Sequence, residues 1–197
     1  MARHSLRERI LDAGVNVMYS QGYLGSGIRQ IMAEANAPQG SFTNHFRSKE
    51  VFAAEVLERY FGHTKTLVAR ALGDETLRPL ERLKRYFDII TSLLLEDEFT
   101  RGCLIGDFSL EAPPHSELVR QRLIAVFAEW RELFAACVRE AQVSGEIATT
   151  FSADDLSDFL LASWEGAILR AKVERSAEPL ERYKRIMFAT VLNGSHA

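Results

Sequence analysis

The sequence predicts an all-α chain in which a small N-terminal group of three helices precedes a larger helical body. Three observations predict it. Apolar residues recur at three- and four-residue spacing from Leu6 to Val191, with no convincing alternating stretch of the kind a half-buried strand shows. The breaks fall on Gly22, Asn36-Ala37-Pro38, Gly73-Asp74, Pro113-Pro114 and Ser144-Gly145, residue types that end helices. The sequence holds no internal repeat, low-complexity segment or flexible linker. The expected division is residues 1–47 and residues 48–197.

Taken in order, residues 5–21 make the first helix, with Leu6, Ile10, Ala13, Val17 and Met18 inward and Gly22 as its stop. Ser26 is placed to cap a second helix carrying Ile28, Ile31 and Met32 on one face. After Asn36-Ala37, Pro38 suits the first turn of a short third helix. A long helix starts at Ser48, with Phe52, Val56, Tyr60 and Leu67 on one side, and ends at Gly73-Asp74. The body then continues with a helix marked by Leu77, Leu80, Leu83, Phe87, Ile90 and Leu94. A short apolar helix follows over 101–111, then a long one from about Ser116 to Val143. Ser152 caps a helix through Glu174, with Asp154 and Asp155 in its first turn, and the last helix runs from about Glu178 to Leu192.

Composition bounds what such a chain can be. It has 47% hydrophobic and 26% charged residues among 197, as an ordinary globular protein does. The start, MARHSLRERI, lacks the apolar core of a signal peptide, and no apolar run approaches the roughly 20 residues of a membrane span. Two cysteines, Cys103 and Cys137, cannot build a disulfide framework, so a reducing cytoplasm is expected. Net charge is −3, but residues 1–50 carry six Arg or Lys against four acids, a local +2 on an acidic remainder. That distribution suits local phosphate contact better than general coating of nucleic acid.

The third helix is unusual. Phe42 and Phe46 stand four apart and share an inward face. Gln39, Gly40, Ser41, Thr43 and Asn44 remain for the other faces, a surface that packs poorly against protein and suits the DNA major groove. Lys49, in the first turn of the following helix, sits where backbone N–H groups and the helix dipole favour a phosphate.

Gly22-Tyr23, Ser26, Ile31, Ala33, Ala37, Gly40-Ser41-Phe42, His45-Phe46 and Ser48-Lys49-Glu50 together resemble the DNA-binding domain of TetR-type transcriptional repressors. The match covers residues 5–60; Thr43 stands where that family usually has Tyr. The resemblance implies a homodimer joined through its last two helices, reading double-stranded operator DNA as two half-sites. Expected DNA contacts are Gln39, Ser41, Thr43 and Asn44 in the groove, with Ser26, Arg29, His45 and Lys49 around it. Leu156, Phe159, Leu160, Trp164, Ile168, Tyr183, Met187, Phe188 and Val191 form the apolar surface of the last two helices, which core packing alone would also explain.

Two body segments, Arg101-Gly102-Cys103-Leu104-Ile105-Gly106 and Trp164 through Lys172, are similar to those of repressors that detect reactive electrophiles or acrylate-like unsaturated acids. That similarity implies a small-molecule effector sensed by Cys103 and Lys172, with Trp164 and Glu165 as pocket wall and polar handle. A thiolate is the reactive form of cysteine, and a neighbouring ammonium favours it. The alternatives are a buried small hydrophobe for Cys103, a solvated helix-end cation for Lys172, and an interface aromatic with an exposed acid for the other two. Cys137 reads as plain core. The five histidines, at 4, 45, 63, 115 and 196, show no zinc spacing, and no phosphate- or dinucleotide-binding motif occurs, so neither metal nor cofactor is expected. The rival function is a thiol-dependent helical enzyme pairing Cys103 with His115, for which the spacing offers no support.

Overall fold

The computed structural model describes residues 5–194. Among them are nine α-helices and no strand: α1 (Leu6–Gly25), α2 (Ile28–Glu34), α3 (Phe42–His45), α4 (Lys49–Leu72), α5 (Pro79–Glu96), α6 (Leu104–Glu111), α7 (Glu117–Val143), α8 (Ala153–Glu174) and α9 (Glu178–Thr190). A single 3-10 turn, Gln39–Ser41, leads into α3. None of these helices is long and apolar enough to cross a membrane.

Compactness groups the chain differently from the expected boundary at 47/48. One unit is the chain through His63 together with Cys103–Val126; the other is Thr64–Gly102 together with Phe127 onward. Helices α4 and α7 therefore each contribute residues to both units.

In the first unit, Ile10, Met18, Ile31, Phe46, Phe52, Phe61 and Phe108 are completely or almost completely buried. Helices α1 and α4 approach closely at Gly14. A Cβ on Gly14 would come within 2.3 Å of the Phe52 ring. Glycine is needed there for space. Ser5 starts α1 by accepting the Glu8 N–H at 3.2 Å. Arg9 caps the far end of α2, donating to the carbonyls of Ala35 and Asn36 at 2.9 Å each. Arg59 on α4 holds Glu8 at 2.6 Å and Asp12 at 2.7 Å, tying α4 to α1.

The second unit is a helical body built around aromatic rings. Trp164 lies 4.8 Å from Phe87 and 5.0 Å from Tyr183, and Phe134 meets Tyr86 edge-on at 4.8 Å. Arg82 on α5 is 5% exposed; it donates to the Leu72 carbonyl at 2.8 Å and pairs with Glu140. Burying a charge costs several kcal/mol unless it is paired and hydrogen-bonded, and both conditions are met here. Ser152 caps α8 through the Asp155 N–H at 3.1 Å, as expected.

Several boundaries depart from expectation. α1 continues past Gly22 to Gly25, but Gly22 itself adopts φ 76° and ψ −179°, which splits the helix at that residue. Gly27, not Ser26, is the N-cap of α2. Ser26 closes α1, and its hydroxyl turns inward to donate to the Tyr23 carbonyl at 3.0 Å. Pro38 precedes the 3-10 turn in an extended conformation rather than lying within the first helical turn. Residues 101–103 are not helical; α6 begins only at Leu104, with Cys103 as its N-cap.

Candidate functional site

The recognition segment is one 3-10 turn followed by a four-residue helix, too short to be stable alone. Packing holds it. Phe42 and Phe46 lie 5.4 Å apart, and both meet the Phe52 ring edge-on, at 5.3 and 4.7 Å. With that face buried, Gln39, Gly40, Thr43 and Asn44 are exposed and Ser41 is half-buried. A Cβ on Gly40 would meet nothing within 4 Å, so the surface is open there. The Ser41 hydroxyl donates to the Pro38 carbonyl at 2.6 Å and that of Thr43 to Gly40 at 3.4 Å. Both hydroxyl oxygens, used here as donors, keep lone pairs that can accept.

The surrounding cations divide into two classes. Arg7 and Arg9 serve the fold: Arg7 pairs with Glu55 and stacks on Phe46 at 5.1 Å, and Arg9 caps α2. Arg29 and Arg47 are exposed and form no ion pair among the described residues. Lys49 is half-buried with its ammonium 5.0 Å above the Tyr23 ring. Burial pushes its pKa down, and the Glu111 carboxylate pulls it partly back. His45 is half-buried with its ring 6.3 Å from Phe46. Ser26 is 2% exposed, so its part in any interface is to fix the backbone before α2 rather than to touch a phosphate. The expected DNA contacts left out Arg47, which stands two residues past the recognition helix.

In the second unit, Trp164 is completely buried, and its indole N–H has no acceptor among the described residues. Glu165, next to it, is half-buried. The aliphatic stem of Lys172 runs along Gly102. A Cβ built there would be 3.3 Å from Lys172 Cδ and 3.5 Å from Ile168. Cys103, 8% exposed, belongs to the first unit. Arg101 is fixed by Asp97, which accepts from its guanidinium at 2.6 Å and from its backbone N–H at 3.0 Å. Cys137 is core, as expected: it donates to the Pro79 carbonyl, and burial pushes its thiol up to about 11. Among the described residues no cluster of His, Cys, Asp or Glu could hold a metal ion; His4 and His196 lie outside them.

Residues 10–56 match the family model for bacterial regulatory proteins of the TetR family, and residues 79–187 match that for the tetracyclin repressor-like C-terminal domain. The chain belongs to the TetR family. It is similar to the HTH-type transcriptional repressor DhaR of a Mycobacterium species, with 40% identity over 98% of this chain and 95% of that one. Among solved structures it resembles a TetR regulatory protein of Rhodobacter sphaeroides (TM-score 0.87, 34% identity, 92% and 96% of the two chains). It also resembles Escherichia coli NemR in its reduced form (TM-score 0.83, 25% identity, 96% and 100%). These relatives are transcriptional regulators, which sets aside the thiol-enzyme alternative.

In this TetR family regulator the last helices divide their apolar residues between an inward and an outward face. Leu156, Leu160, Trp164, Ile168 and Met187 face the chain's own core, and Phe188 is half-buried 6.2 Å from Phe87. The apolar residues of α8 left outward are Phe159, Ala162, Leu169 and Val173, in line with Gly166 at three- and four-residue spacing. The Phe159, Leu169 and Val173 side chains are 53%, 48% and 78% exposed, and a Cβ on Gly166 would touch nothing. On α9, Ile186 is likewise exposed. A second, offset apolar stripe on α8 was legible in the sequence, but only the fold shows which of the two is inside.

Proposed function

We propose that this TetR family regulator is a cytoplasmic homodimeric repressor, released from a near-palindromic operator by a small electrophilic or unsaturated organic molecule. The observation that carries the DNA half is the outward row of Gln39, Thr43 and Asn44 on a helix pinned from behind by Phe42 and Phe46. The two amides offer paired donors and acceptors to a base edge, and the Ser41 and Thr43 oxygens can receive a base amino group. Arg29, His45, Arg47 and Lys49 supply the phosphate contacts. Dimerisation through the outward stripe of α8 and Ile186 presents two such helices to the two half-sites. Gly166 at its centre admits a close helix crossing.

The sensing residues are Cys103 and Lys172, with Trp164 and Glu165 as wall and handle. Resemblance to electrophile-sensing repressors supports this. So does the placement of Cys103 at the N-cap of α6, where the helix dipole favours an anion. The Cys103 thiolate adds through Sγ to the electron-poor carbon of a conjugated C=C bond. The carbanion so formed takes a proton from water. Release requires the adduct to favour a helix arrangement that does not bind DNA, since equal stability in both states shifts nothing.

The test is a titration of operator release by an α,β-unsaturated carbonyl compound, with intact-mass detection. Cys103→Ser should bind operator normally, ignore the electrophile and gain no adduct. If Cys103→Ser still responds while Lys172→Met does not, the effector is a non-covalent acid paired with Lys172. A full response in both variants refutes the site.

A further inference from the structure

We infer that Glu111, the last residue of α6, is a positioning residue for DNA binding: its carboxylate holds the corner between α1 and α2. Through that corner it sets where α2 and the recognition helix stand. The corner cannot hold itself. Gly22 leaves the helix at φ 76°, a conformation that side chains other than hydrogen rarely adopt, and the turn that follows loses its regular partners. The Leu24 N–H is satisfied from outside, by Glu111 Oε2 at 2.8 Å. The same carboxylate fills the space where a side chain at position 22 would begin. A Cβ on Gly22 would lie 2.3 and 2.7 Å from its two oxygens. Glycine at 22 is thus required by its φ, and its missing side chain leaves the space that the Glu111 carboxylate occupies.

The rest of the corner is keyed to the same helix. Tyr23 meets Phe108 edge-on at 5.7 Å, one turn before Glu111 on α6. The Tyr23 carbonyl receives the Ser26 hydroxyl immediately before α2, and the Tyr23 ring carries the Lys49 ammonium at the start of α4. Both flanks of the recognition segment therefore refer to Tyr23, and the corner bearing Tyr23 refers to Glu111. A carboxylate bonded to a backbone amide is one of the stronger single contacts available for this purpose. Sequence spacing gave no sign of it, because Glu111 and Leu24 are 87 positions apart.

The test compares Glu111→Ala and Glu111→Gln in the full-length protein, measuring binding to operator and to random duplex, and hydrogen exchange at the Leu24 amide. Glu111→Ala should weaken operator binding by about tenfold or more, the size of a lost charge-assisted hydrogen bond. Random duplex should lose less, because phosphate contact depends less on the aim of the helix. Glu111→Gln keeps an acceptor oxygen and should restore binding to within about threefold. The Leu24 amide should exchange slowly in the unmodified protein and in Glu111→Gln, and fast in Glu111→Ala. Unchanged operator binding in Glu111→Ala overturns the inference. So does equal weakening in both variants, which would assign the effect to charge. Fast exchange at Leu24 in the unmodified protein overturns it even if Glu111→Ala does not fold. The inference rests on the reading that the recognition helix meets DNA. Operator binding that survives joint replacement of Gln39, Thr43 and Asn44 would fail that reading instead.

Discussion

Truncating Phe42 should separate DNA binding from global stability. Its side chain is 3% exposed, and it loses both the Phe46 contact at 5.4 Å and the edge-on Phe52 contact at 5.3 Å on conversion to alanine. A buried Phe→Ala change costs about 3–5 kcal/mol when the surroundings cannot relax. Here they can, because the segment Gln39–His45 has almost no helical stability of its own and can detach locally. The expected result is therefore a modest drop in the urea midpoint. Operator binding should fall much further, because only the attached fraction is competent. A loss of about 3 kcal/mol in a local equilibrium that starts near balance corresponds to roughly a hundredfold weaker binding. Phe42→Leu, which keeps most of the volume, should lose less than about tenfold. Fluorescence anisotropy on a labelled operator reads the affinity, and urea unfolding by circular dichroism reads the stability. Phe42→Ala binding within about threefold of the unmodified protein would refute the claim that the packing of Phe42 holds this helix in place.

Other outcomes test the remaining contacts. Gly14→Ala should destabilise by about 1–3 kcal/mol in urea unfolding, since its new Cβ would fall 2.3 Å from the Phe52 ring; no change would mean that α1 and α4 can separate cheaply. Lys49→Ala and Arg47→Ala should each flatten the slope of log binding constant against log salt by about one, for operator and random DNA alike. Leu169→Asp should yield monomers with poor operator binding in sedimentation and anisotropy measurements. It is a cleaner probe than a change at Phe188, which also touches the protomer's own core at Phe87. The Arg101 guanidinium holds the Asp97 carboxyl down at about 2, from an ordinary 3.8. A depressed carboxyl pKa stabilises the fold fully above 3.8, and that stabilisation is lost as pH falls through about 2. Asp97→Asn should accordingly reduce the acid dependence of stability across that window.

The sequence by itself determined the class of the molecule, because the features that carry it are local. Helical periodicity, the Ser152 cap, the helix stops at Gly73 and Gly145, and the pair Phe42 and Phe46 all act within a few residues along the chain. The family motif is likewise contiguous, which is why it could be recognised over residues 5–60. Tertiary structure decided what each ambiguous residue is for. Ser26 has the composition of a cap and proves to be a buried donor to the Tyr23 carbonyl, because Gly22 turns the chain one step early. Arg7 and Arg9 count as basic surface in a charge tally, yet they are spent on Glu55 and on the end of α2. On α8 two apolar stripes compete for the inside, and only the rings of Phe87 and Tyr183 decide that Trp164 goes in while Leu169 and Val173 stay out. Glu111 is the extreme case. Its partners Gly22 and Leu24 are brought to it by the docking of α6 on α1, a contact that no spacing rule along the chain can encode.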